Sequence, residues 1–161
     1  MRLFVAIQLS DELKKSIGGT LHSLKQKGVR GNYVPLQNLH LTLAFIGETD
    51  NPGAVKEALQ NVSVKPFKLS LSSMGSFGDL LWIGMKGNQG LSAVAKSVRE
   101  ALDAAGIPYD RKKFVPHITI VRKASGNWKQ VPTARGEMMV SKLSLMKTTF
   151  KDGKPSYSEV K

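Results

Sequence analysis

Three histidines occur in 161 residues, and two of them share a setting. The first reads Leu39-His40-Leu41-Thr42-Leu43 and the second Pro116-His117-Ile118-Thr119-Ile120. In an extended strand, residues i and i+2 project from one face, roughly 7 Å apart. Each segment therefore sets a histidine beside a threonine. Leu39, Leu41 and Leu43, or Ile118 and Ile120, cover the opposite face. A polar pair on an otherwise apolar strand is costly unless water, a partner or a ligand satisfies it. With seven threonines in the chain, this double placement has a chance probability of roughly 0.6%. The duplication points to a shared cleft.

Two imidazoles in one cleft can divide into a base and an acid, because histidine titrates near cellular pH. Threonine hydroxyls can donate to phosphate oxygens, and added positive charge would stabilise a phosphorane-like transition state. The set suits opening or closing of a phosphodiester by water or an internal hydroxyl, and it requires no metal. A zinc site would need a third ligand, for which Glu48, Asp50 and Asp110 are the candidates. No Gly-x-Ser-x-Gly elbow is present for a serine hydrolase. Two core histidines bonded to backbone groups are the structural alternative. His22 has no threonine partner and belongs on the surface.

The surrounding chain supplies strands and helices to hold this pair. Residues 2–9 read as a strand. Ser10 caps a helix with Asp11 and Glu12 in its first turn and an apolar stripe of Leu13, Ile17, Leu21 and Leu24, ending before Gly28. Gly18 and Gly19 weaken that helix by about 1 kcal/mol each relative to alanine. Residues 39–46 form a buried strand, and Asn51-Pro52 opens a helix through Val62. Phe67, Leu69 and Leu71 mark a strand with one wet face, and Leu80 to Met85 another. Gly75, Gly78 and Gly84 mark turns or close approaches. A helical stripe runs from Leu91 to Ala105, closed by Gly106. Residues 114–121 return to strand, and Met138 to Phe150 with Ser156 to Val160 form a hairpin about Asp152-Gly153. This irregular mixture predicts an α+β fold with antiparallel sheet.

Composition narrows the chemistry. The chain has 24 Lys+Arg against 12 Asp+Glu, a net charge of +12, which points to an anionic partner such as a nucleic acid. The absence of cysteine excludes disulfides, thiolate metal sites and thiol nucleophiles. No run approaches the length of a membrane span, and no targeting segment is visible, so the expectation is a soluble cytoplasmic monomer.

These residues resemble the 2H phosphoesterases, specifically the RNA 2′,3′-cyclic phosphodiesterases, also called 2′-5′ RNA ligase or LigT-like proteins. The resemblance is carried by Met1-Arg2-Leu3-Phe4-Val5-Ala6-Ile7, by Val34 to Gly47 and by Phe114-Val115-Pro116-His117-Ile118-Thr119-Ile120-Val121-Arg122. It implies a single bilobal domain over residues 1–161, with pseudo-twofold symmetry, two antiparallel sheets lining a central cleft and helices outside. It also implies hydrolysis of RNA 2′,3′-cyclic phosphate ends to 2′-phosphates, without metal or cofactor. His40 would be the proton donor and His117 the proton acceptor. Thr42, Thr119 and Arg122 would bind the phosphate.

Strict alternation turns Arg122 away from His117 and Thr119, so it reaches the phosphate only through a bulge. Ala44 stands where the family often has a larger, basic residue, which would thin the contacts of the first lobe. RNA, such as tRNA fragments, would be the partner, with no membrane and no obligate protein partner. A minor reverse activity would join ends through a 2′-5′ linkage. The alternatives are an RNA-binding module with little catalysis, and a phosphodiesterase for small cyclic nucleotides or 2′-5′ oligonucleotides. Phe45, Phe77, Trp82 and Phe114 are aromatic candidates for base stacking, each more readily explained as core. Arg111-Lys112-Lys113 and Lys123 place further charge beside the second motif.

Overall fold

Two antiparallel sheets share one apolar core, and each carries one histidine motif. The computed structural model describes residues 1–161. Strand β1 (Arg2–Gln8) leads into helix α1 (Asp11–Gln26), β2 (Arg30–Tyr33), a single 3-10 turn (Leu36–Asn38) and β3 (His40–Glu48). Then come α2 (Pro52–Leu59), β4 (Phe67–Phe77), β5 (Leu80–Met85), α3 (Gln89–Ala104) and β6 (His117–Ser125). The chain ends with β7 (Glu137–Val140), β8 (Ser144–Lys151) and β9 (Lys154–Glu159). The sheet orders are β3-β1-β8-β9 and β2-β6-β5-β4-β7, and every pairing is antiparallel. No helix is long and apolar enough to cross a membrane.

The two halves repeat one plan. Each motif strand lies beside the strand that precedes a 16-residue helix: β1 and α1 for β3, β5 and α3 for β6. Both helices start on a side-chain cap, Ser10 accepting from Leu13 N–H and Asn88 from Leu91 N–H. Their buried stripes, Leu13, Ile17, Leu21 and Leu24 on one and Leu91, Val94, Val98 and Leu102 on the other, fill the core. Leu3, Val5 and Ile7 join that core from β1, while Phe4 and Ala6 face the other way. Gly18 has a packing reason: Leu36 of the 3-10 turn rests over it, within 3.4 Å of where a Cβ would lie.

Several elements differ from the sequence expectations. The strand expected over 114–121 begins only at His117 and runs on to Ser125, because Pro116 lacks the N–H that a ladder needs. Helix α2 stops at Leu59, leaving Val62 outside it. The long strand expected from Met138 to Phe150 is two strands. β7 pairs with β4 in one sheet and β8 with β1 in the other. Strand-like composition shows no sign of a change of sheet. The terminal hairpin is as expected, with Asp152 and Gly153 both at positive φ between Lys151 and Lys154. The short strand β2 carries no apolar alternation that would announce it.

Gly31 holds β2 against β6 at φ +152, where a Cβ would lie 2.7 Å from Val121 Cγ1 and 2.8 Å from the Arg122 carbonyl oxygen. The Arg122 oxygen is backbone and cannot turn aside as a side chain can. Gly31→Ala should therefore destabilise the protein by about 2 kcal/mol, read as a lower urea midpoint at unchanged m.

Candidate active site

A bulge at the matching place on each motif strand decides what faces the cleft. Along β3, Thr42 pairs with Ala6 and Ala44 with Val5, so Leu43 is unpaired. Along β6, Thr119 pairs with Trp82 and Val121 with Leu81, so Ile120 is unpaired. These are matching β-bulges, and each buries two successive apolar residues: Leu43 with Ala44, and Ile120 with Val121. Alternation resumes one residue late. Phe45 and Arg122 thereby return to the side of Thr42 and Thr119, and all four line the cleft with His40 and His117. The bulge that Arg122 required is present. Ala44 is corrected: at 2% exposure it belongs to the core, and the cleft position on the first lobe is Phe45. A phenylalanine thus stands where the second lobe has an arginine.

Both imidazoles are held alike. His40 Nδ1 lies 2.7 Å from the Asn38 carbonyl oxygen, and His117 Nδ1 lies 2.7 Å from that of Val115. A carbonyl only accepts, so each Nδ1 carries the proton and each Nε2 is left for a ligand. Asn38 is itself buried, with Nδ2 donating to the Pro155 carbonyl at 3.2 Å. Aromatic rings flank each histidine. Phe4 and Tyr157 lie 4.8 and 5.0 Å from His40, and Phe77 and Trp82 lie 5.3 and 6.3 Å from His117. Burial pushes the His40 imidazole below its ordinary value, and positive charge on Arg122, His117 and Lys14 adds to the effect. The Asn38 carbonyl opposes it. The free His40 side chain is held toward its neutral form.

The cleft encloses about 440 Å³. It also contains Arg2, Phe4, Phe150 and Tyr157, none of which the motif pattern singles out. Arg2 sits on the cleft face of β1 with its guanidinium 5.2 Å from the Phe45 ring and 5.8 Å from that of Phe150. Alternation along β1 is the available signal for Arg2 and Phe4, since Leu3, Val5 and Ile7 claim the core. Tyr157 cannot be placed without knowing that β8 joins β1.

Of the remaining candidates, Glu48 and His22 lie away from the cleft, and Asp110 lines the space beside it. Glu48 is at the far end of β3, paired with the Met1 amino group at 3.1 Å. The Asp110 carboxylate accepts from Lys112 N–H. No three His, Asp or Glu side chains converge, so the two-histidine-and-carboxylate set is not assembled. His22 is exposed on α1. Arg111 turns onto Asp103, 2.8 Å away.

The model of the 2′-5′ RNA ligase superfamily matches residues 7–151. The RNA 2′,3′-cyclic phosphodiesterase of Archaeoglobus fulgidus is 32% identical, with 100% of this chain and 98% of that protein covered. The Escherichia coli protein of the same name is 29% identical over 99% of this chain and 94% of its own. Escherichia coli LigT, solved with 3′-AMP, superposes with a TM-score of 0.84 at 29% identity, covering 99% of this chain and 95% of that one. Fold, paired motifs and sequence agree along almost the whole length: the chain belongs to the 2′-5′ RNA ligase superfamily.

Proposed function

We propose that this protein hydrolyses RNA 2′,3′-cyclic phosphate ends to 2′-phosphates by a two-histidine acid–base mechanism. The observation that carries the reading is the duplicated Nδ1 tether, which leaves two Nε2 atoms and two threonine hydroxyls for one cleft. Relatives named RNA 2′,3′-cyclic phosphodiesterase support the substrate. His117 Nε2 takes a proton from water as its oxygen bonds to phosphorus. His40 Nε2 gives a proton to O3′ as the P–O3′ bond breaks. The products are a 2′-phosphate and a free 3′-hydroxyl. Thr42 and Thr119 donate to the non-bridging oxygens, and Arg122 offsets the negative charge that builds on them. With a 5′-hydroxyl in place of water, the same roles join two ends through a 2′-5′ linkage, as a minor activity. The reading places the enzyme in the cytoplasm, on ends such as those of tRNA fragments, as a monomer without an obligate protein partner.

The acid role for His40 has to meet its depressed pKa. A bound phosphate anion supplies the missing counter-charge, so substrate binding protonates the residue that must later give a proton away. The charge of the substrate switches on its own acid.

An oligonucleotide ending in a 2′,3′-cyclic phosphate should be opened to the 2′-phosphate in the presence of chelator. A 3′-phosphate product or strict metal dependence would count against the reading. His40→Ala and His117→Ala should each lower kcat by about 10²–10⁴-fold, and full activity in either would sink the mechanism. In an NMR titration, the ligand-free His40 imidazole should titrate below about 6.5 and move upward when 2′-AMP is bound. A value that fails to rise would remove the proposed protonation by substrate.

A further inference from the structure

A second compartment of about 390 Å³ opens beside His117. It shares Thr42, Phe45 and His117 with the catalytic cleft, so the two are continuous. Its far wall is the segment 109–114 between α3 and β6, backed by Arg99 of α3. That segment is clamped by its backbone. Asp110 N–H donates to the Phe45 carbonyl at 2.8 Å, Lys112 N–H to Asp110 Oδ1 at 3.0 Å, and Arg99 Nη1 to the Lys112 carbonyl at 2.9 Å.

The clamps present Lys112 and Lys113 to the compartment without an ion-pair partner, while Arg111 alone is neutralised, by Asp103. Arg99 adds a third charge, and its Nε–H has no acceptor. The Asp110 carboxylate also lines the space, with one oxygen occupied by the Lys112 amide. Phe77, 47% exposed, stands edge-on to His117 at its entrance. A row of cations without ion-pair partners on a held backbone, with an exposed ring beside it, suits a phosphate and the base next to it.

We propose that this compartment is the subsite for the penultimate nucleotide of the substrate. Lys112 and Lys113 take the first internucleotide phosphate, and Phe77 takes the neighbouring base. The proposal rests on the cyclic-phosphodiesterase reading and adds to it the place where the chain behind the reacting end is held, so that a dinucleotide is preferred over a cyclic mononucleotide.

The test compares kcat/KM for 2′,3′-cyclic CMP with that for CpC ending in a 2′,3′-cyclic phosphate. The wild-type protein should favour the dinucleotide. In the double variant Lys112→Ala with Lys113→Ala, the dinucleotide-to-mononucleotide ratio should fall by about tenfold, chiefly through KM. In that double variant the slope of log KM against log salt for the dinucleotide should flatten by about 0.7, for the one internucleotide phosphate no longer neutralised. A wild-type ratio near one, or a ratio unmoved in the double variant, would overturn the subsite. So would a ratio that falls in Arg2→Ala instead, which would send the chain out through the other end of the cleft. Failure of the wild-type protein to turn over either substrate would remove the parent reading, and this one with it.

Discussion

A backbone carbonyl two residues before each cleft histidine accepts from its Nδ1, and the rest of the site is arranged around those two bonds. They choose the tautomer, aim Nε2 and lock the rings without using a single acidic side chain. Their positions depend on how each strand is entered. Pro116 keeps Val115 out of the ladder on one side, and the 3-10 turn at Leu36–Asn38 does so on the other. Both carbonyls are thereby spare for the side chain. The Asn38 carbonyl raises His40 too little to offset its burial, which leaves that imidazole below its ordinary value and responsive to an arriving anion.

Pseudo-twofold symmetry brings the two motifs together, and small departures from it make the halves unequal. His40 lies between Phe4 and Tyr157 and is pressed toward neutrality by burial. At the position of Arg122, the first lobe carries Phe45, and its guanidinium comes from the adjacent strand as Arg2, resting on that ring. The same bulge therefore serves two ends: a cation on one lobe, and a platform that carries a cation on the other.

Much of this arrangement is legible in the residues. Period-2 alternation locates β1, β3 and β5, the caps at Ser10 and Asn51 locate two helices, and Asp152-Gly153 locates the last turn. His40, Thr42, His117 and Thr119 follow from spacing, because strand parity is a local property. What depends on pairing is not legible. The bulge at Leu43 is invisible until Val5 and Ala6 are opposite it, and without it plain alternation sends Ala44 to the cleft. The break between β7 and β8 is set by which sheet each joins. Tyr157 and Phe150 reach the cleft only because β8 lies against β1. The outward turn of Arg111 depends on Asp103, one helix away.

The route by which β8 and β9 enter the first sheet has a consequence for the order of synthesis. Leu3 pairs with Lys147, Tyr157 packs on His40, and the Pro155 carbonyl holds Asn38. The first histidine motif, made early, is thus completed by a segment made much later. The second motif, on β6, has its neighbours β2 and β5 already in place. An emerging chain lacks the finished setting of His40 until residues 144–159 are free to fold back. Such long-range closure is slow by nature.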